Sequence, residues 1–278
     1  MTRRDEGFFS ARDNTKLYWQ SLVPDGSPTA WVGVVHGYAD HSGRFRRVME
    51  HLVSQGFGVM AFDYRGHGKA EGKRGAVNRW SDYVDDLEVF WARLRGVAQG
   101  QPTFLLAHSH GALVSLHWVL RRPEGLKGLV LTSPYLKLGL KAPPLKLLAG
   151  RVLAVLAPAL PLPSEIAIDV LSRDEAWQAE TAADPLYIRT VTAGFFAGST
   201  KAQEALEGQG RNITVPLLMV TGGADGLVAT PASRAFFETV ASPDKTYVEE
   251  AGFRHEVLCE LGKEVVWERI SRWISAHR

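Results

Sequence analysis

Five largely apolar runs, separated by stretches of helical periodicity, constrain this chain more than any other feature. They are Trp31-Val32-Gly33-Val34-Val35, Gly58-Val59-Met60-Ala61-Phe62, Thr103-Phe104-Leu105-Leu106-Ala107, Gly128-Leu129-Val130-Leu131-Thr132 and Pro216-Leu217-Leu218-Met219-Val220. A strand with one wet face alternates polar and apolar residues, so an unbroken run implies burial on both faces. Helices on either side of a parallel sheet provide that cover. Helical stretches are expected over Arg44–Ser54, Trp80–Leu94, His110–Leu120, Pro231–Val240 and Glu260–Ala276, with a further strand at Lys245-Thr246-Tyr247-Val248. Two β-patterned runs, Gly7–Ala11 and Lys16–Leu22, flank the turn signal Asp13-Asn14 and read as a hairpin. The fold class is α/β.

The alternation stops between the fourth and fifth runs. From Pro134 to Arg211 the sequence shows helical stretches and no strand, with prolines at 143, 144, 158, 161, 163 and 185. Residues 1–133 and 212–278 therefore read as one core, and 134–211 as a helical cap inserted over it. A chain of 278 residues that is 45% hydrophobic can bury a core of that size. Lys plus Arg number 32 against 30 Asp plus Glu, a balance of +2 that gives no field for a nucleic-acid partner. The single cysteine, Cys259, has no partner for an intramolecular disulfide and reads as a packing residue. No apolar stretch follows the charged N-terminus, so a cytoplasmic location is expected, and Asn212-Ile213-Thr214 carries no glycosylation meaning without a secretory signal. The most apolar stretch, Leu145–Pro163, is broken by Lys146, Arg151 and three prolines and is not expected to span a membrane.

Ala107-His108-Ser109-His110-Gly111 lies where an apolar strand hands over to a helix, the context of a nucleophile elbow. Small residues on either side let the chain turn sharply and lift the serine Oγ clear. Ala107 stands where the pattern has its first glycine. A serine there could also simply cap the helix. As a nucleophile it needs a histidine base and a carboxylate to orient that base, in the chain order Ser, acid, His. Asp225 follows the strand at 216–220 through Gly222-Gly223-Ala224, and His255 lies on the loop after the strand at 245–248. Both fall at carboxyl ends of strands, where open α/β sheets gather their sites. The conjunction makes Ser109, Asp225 and His255 the candidate triad. Backbone N–H groups of His110, next to the nucleophile, and of Tyr38, in the loop after the first parallel strand, are the candidate oxyanion donors. Activity should fall below about pH 6, as the histidine protonates.

With those residues in place, the chain resembles the monoacylglycerol lipase and lysophospholipase branch of the α/β-hydrolases over nearly its full length. The matching residues are His36-Gly37 followed by Asp40-His41-Ser42-Gly43-Arg44-Phe45, then Asp63-Tyr64-Arg65-Gly66-His67-Gly68, Glu71-Gly72 and Arg74-Gly75, the elbow, Gly223–Asp225, and Gly252-Phe253-Arg254-His255-Glu256. The resemblance implies a cap over a dry acyl pocket, a lipid ester substrate cleaved through an acyl-enzyme, and neither cofactor nor metal. Lysophospholipids and simple short-chain esters are the alternative substrates. A binding protein on a hydrolase fold is the alternative class, and its damaged triad is not seen here. His110 departs from the methionine or glutamine common beside the nucleophile. His36, His67 and the block Asp63–Gly68 read as structural, the block through pairing of Asp63 with Arg65. The run Leu138–Leu162, with Lys137, Lys141, Lys146 and Arg151, reads either as packed helix core with a solvated charged face or as an amphipathic cap whose apolar side shelters an acyl chain and whose cations rest on a membrane or micelle.

Overall fold

In the computed structural model, which describes residues 2–139, 150, 152–164 and 166–278, an eight-stranded sheet carries the chain. Its strands in chain order are β1 (Arg3–Ser10), β2 (Lys16–Val23), β3 (Trp31–Val35), β4 (Gly58–Asp63), β5 (Thr103–His108), β6 (Leu126–Thr132), β9 (Leu217–Gly222) and β10 (Lys245–Glu250). Two short strands, β7 (Pro161–Pro163) and β8 (Thr190–Thr192), lie outside it. The spatial order is β1-β2-β4-β3-β5-β6-β9-β10. β1 and β2 form the expected antiparallel hairpin and β2 runs antiparallel to β4, while β4, β3, β5, β6, β9 and β10 are all parallel.

Helices cover both faces of this sheet, as the unbroken apolar runs require. They are α1 (Arg46–Ser54), α2 (Ser81–Ala98), α3 (His110–Val119), α7 (Thr230–Thr239) and α8 (Glu264–His277), while α4 (Ile168–Leu171), α5 (Glu175–Ala183) and α6 (Ala193–Ala205) lie in the stretch between β6 and β9. Side chains alternate across β5: Leu105 and Ala107 pack with Phe62, Phe90 and Leu113 toward α2 and α3. Phe104 and Leu106 pack with Val48, Leu52 and Ile270 toward α1 and α8. Phe62 and Phe90 stack with centroids 4.4 Å apart. Burial of each of the larger apolar side chains among these stabilises the fold by about 1.5–3 kcal/mol.

The structure departs from the sequence expectation at three places. The helix expected from Arg44 begins instead with a tight turn at Ser42–Phe45 before α1. The stretch 134–211 is not purely helical, since β7 and β8 pair antiparallel with Leu162 opposite Val191. Pro161 and Pro163 resist helix and favour extended backbone, and an isolated short ladder tolerates their missing N–H groups. Asp63 and Arg65 are not partners. Arg65 forks onto Asp86, at 2.8 and 2.6 Å, and reaches Asp13 at 2.7 Å. Asp63 accepts the N–H groups of Ser42 at 2.7 Å and Lys69 at 2.8 Å, and so ties the loop after β4 to the loop after β3.

Among the described residues no helix is long and apolar enough to cross a membrane. Of the amphipathic run at 138–162, Lys141, Lys146 and Arg151 lie outside the described residues.

Candidate active site

The β5–α3 junction places Ser109 at φ 51° and ψ −116°, backbone that a residue with a side chain adopts only at a cost of about 1–3 kcal/mol. Surrounding bonds hold it there: its N–H donates to Thr132 O at 2.9 Å, and its carbonyl accepts from Ala112 N at 3.0 Å and Tyr135 N at 3.1 Å. α3 then runs close under β3, so close that a Cβ on Gly111 would lie 2.4 Å from His36 O. Glycine is required there. Ala107 carries its methyl into the core beside Leu105, so the alanine in place of the first glycine is absorbed by packing.

Asp225 sits in the turn after β9, its Oδ1 accepting from Leu227 N at 2.8 Å and Val228 N at 3.0 Å. Its Oδ2 is left for His255 Nδ1, at 2.8 Å. His255 follows β10, its carbonyl anchored by Ser133 Oγ at 2.6 Å, and its Nε2 lies 2.8 Å from Ser109 Oγ. A carboxylate can only accept, so Nδ1 carries the proton and Nε2 faces the serine hydroxyl with its lone pair. The three side chains are buried, His255 to 2% and Asp225 to 0% exposure. Burial alone would push the His255 pKa down. The facing Asp225 carboxylate outweighs it and holds that pKa above the ordinary 6.5. Burial acts upward on Asp225, but His255 and the two backbone donors bring it below the usual carboxylate value.

Among the described residues the N–H groups of Tyr38 and His110 donate to no other protein group, and both residues line the cavity at Ser109. The Tyr38 ring stacks on Phe195 at 3.7 Å, and its hydroxyl lies 3.0 Å from Gly75 O and 3.1 Å from Thr190 O. The His110 ring is fixed from both sides. Tyr64 donates its hydroxyl proton to His36 O at 2.7 Å, so His110 Nδ1, 3.2 Å from the Tyr64 hydroxyl oxygen, donates to it. Trp80 Nε1 donates to His110 Nε2 at 3.1 Å. The imidazole is thus neutral, and burial pushes its pKa well down. His36 and His67 are buried and face backbone carbonyls through Nδ1, at 2.7 and 3.0 Å.

Ser109 opens into a cavity of about 270 Å³ whose wall is apolar along Leu138, Leu162, Ile166, Leu171, Val191 and Phe195. Asp40, His108 and Glu256 line the same cavity. Sequence reasoning did not single out these three as lining residues. The signals available were adjacency to Ser109 and His255, and the Asp40–Arg44 spacing, which the structure closes as an ion pair at 2.9 Å. Cys259 is a free thiol packed against the α1 and α8 side of the core.

A family profile described as "Serine aminopeptidase, S33" matches residues 26–262. A monoacylglycerol lipase of Mycolicibacterium smegmatis is 29% identical over 99% of this chain and 98% of its own. The phospholipase YtpA of Bacillus subtilis is 32% identical, covering 87% of this chain and 93% of its own. The crystal structure of the monoacylglycerol lipase of Paleococcus ferrophilus superposes with a TM-score of 0.83 at 28% identity, covering 100% of both chains.

Proposed function

We infer that this chain, which belongs to the serine aminopeptidase S33 family of α/β-hydrolases, is a carboxylic ester hydrolase that cleaves single-chain lipid esters of the monoacylglycerol type. The observation that carries this reading is the continuous relay from Asp225 through His255 to Ser109, 2.8 Å at each step, opening on an apolar cavity. Ser109 Oγ attacks the ester carbonyl while His255 Nε2 takes its proton. The negative charge that develops on the carbonyl oxygen falls to the free N–H groups of Tyr38 and His110, pre-aimed donors usually worth several kcal/mol. His255 returns the proton to the leaving alcohol. Water, activated by the same nitrogen, then hydrolyses the acyl-enzyme.

Residues 134–211 act as a cap in this reading, since Leu138, Leu162, Ile166, Leu171, Val191 and Phe195 from that stretch supply the apolar wall. The cap also exposes Val152, Val155, Leu156, Leu160 and Ile166, which supports contact with a lipid surface where substrate is drawn from. The cavity is at the small end of ligand pockets and suits one acyl chain rather than three. At equal acyl length, monoolein should therefore turn over faster than triolein. Comparing initial rates in mixed micelles checks this, and triolein as the better substrate would remove the capped-pocket reading. A phospholipase among the relatives makes lysophosphatidylcholine the competing substrate. It belongs in the same assay.

The charge balance of the relay sets the pH dependence. Neutral His255 accepts the serine proton, so kcat/KM rises with pH through its pKa, which Asp225 keeps above 6.5. The acid limb should thus lie above the pH of about 6 that an unperturbed histidine suggests. A pH–rate profile on a soluble ester that stayed flat down to about pH 5 would exclude His255 as the base.

A further inference from the structure

Beside the serine, the cavity wall brings two imidazoles and a carboxylate to one point. His108 Nε2 is buried and lacks a hydrogen-bond partner among the described residues. It lies 3.3 Å from Glu256 Oε1. Ligand atoms of His108, His255 and Glu256 all fall within 4.8 Å of one another. A tetrahedral zinc ion with bonds of about 2.0–2.2 Å separates its ligand atoms by about 3.3–3.6 Å, so modest side-chain rotation closes the set. Two histidines and a glutamate are a zinc ligand set that leaves a fourth position open. We propose that His108, His255 and Glu256 bind zinc(II) as an inhibitory site within the active centre.

The supporting contacts are those that metal sites use. Asp225 accepts the His255 Nδ1 proton at 2.8 Å, and His108 Nδ1 lies 3.0 Å from Thr132 Oγ1, so the outer nitrogen of each ring is engaged, while His108 Nε2 faces Glu256 Oε1 at 3.3 Å and His255 Nε2 faces Ser109 Oγ at 2.8 Å. The Glu256 backbone is pinned by its N–H to Leu171 O at 2.8 Å. Arg44, whose charge reaches Glu256, is already compensated by Asp40 at 2.9 Å and Asp184 at 3.6 Å. Zinc on His255 Nε2 takes the lone pair that otherwise accepts the Ser109 proton, displacing the 2.8 Å hydrogen bond from Ser109 Oγ while every covalent bond of the protein stays intact. The loss of turnover rests on the proposed role of His255. The binding itself does not.

The test titrates ZnCl2 into the hydrolysis of p-nitrophenyl butyrate by the full chain, with EDTA reversal and with MgCl2 and CaCl2 as hard-cation controls. Micromolar zinc should suppress the rate, EDTA should restore it, and the hard cations should have no effect. In His108→Gln and in Glu256→Gln, the zinc midpoint, normalised to each variant's own metal-free rate, should rise about tenfold or more. Uninhibited wild type, or unchanged midpoints in both variants, would overturn the proposal. Calorimetric titration of ZnCl2 into Ser109→Ala, which keeps all three ligands, should give one zinc per chain. No binding there would also overturn it. Binding there in a protein whose wild type hydrolyses no ester would leave the site standing and remove the hydrolase reading.

Discussion

Replacing Ser109 by alanine is expected to lower ester hydrolysis by about four to six orders of magnitude while the chain stays folded. In the proposed mechanism the hydroxyl is the atom that becomes acylated, and among the described residues it is the hydroxyl hydrogen-bonded to His255 Nε2. Stability should change little. The bonds that hold the elbow, to Thr132, Ala112 and Tyr135, run through the Ser109 backbone and survive in alanine. What is lost is one side-chain hydrogen bond, worth about 1 kcal/mol. Purified variant and wild type are compared by kcat/KM on one soluble ester and by thermal unfolding. A folded variant keeping more than about a tenth of the activity would place the chemistry elsewhere.

Asp225→Asn is expected to cost about four orders of magnitude in kcat through the wrong histidine tautomer. Oδ1 is engaged by the N–H groups of Leu227 and Val228, at 2.8 and 3.0 Å, so an asparagine keeps its oxygen there and turns its NH2 toward His255. His255 Nδ1 must then accept, which moves the ring proton to Nε2, where it faces Ser109 as a donor. The reaction needs an acceptor at that atom. Asp244→Asn is the control. Its carboxylate lies half exposed, 2.8 Å from His277 Nε2 at the C-terminal end of α8, and its loss should leave kcat close to wild type. Equal losses in the two variants would mean the wrong carboxylate has been identified as the orienter.

Much of this arrangement is readable in the chain because the strands that position it are buried on both faces. Unbroken runs such as Thr103–Ala107 mark a parallel strand whatever its neighbours are, and residues following such strands must gather at one sheet edge. That is why the sequence alone groups Ser109, Asp225 and His255, distant along the chain, at the edge where the structure joins them by 2.8 Å contacts. The stretch between β6 and β9 was far less legible. Its apolar residues satisfy helical packing and cavity lining equally well, and the short pairing of Leu162 with Val191 depends on contacts that no local pattern encodes. The Arg65 partners are hidden in the sequence for a similar reason. Asp63 is two residues away in sequence, yet Asp86, on the facing side of α2, offers a buried carboxylate in fork geometry. His110 stands out in the sequence as a departure, but its neutral state follows from Tyr64 and Trp80, donors and acceptors set by the tertiary fold.

Covalent trapping tests most directly whether Ser109 carries the acyl group. Wild-type protein is treated with a fluorophosphonate, digested, and its peptides are sequenced by mass spectrometry. The account predicts one adduct per chain, on Ser109, and its disappearance in folded His255→Ala. An adduct on any other residue, or none on folded wild-type protein, would contradict it.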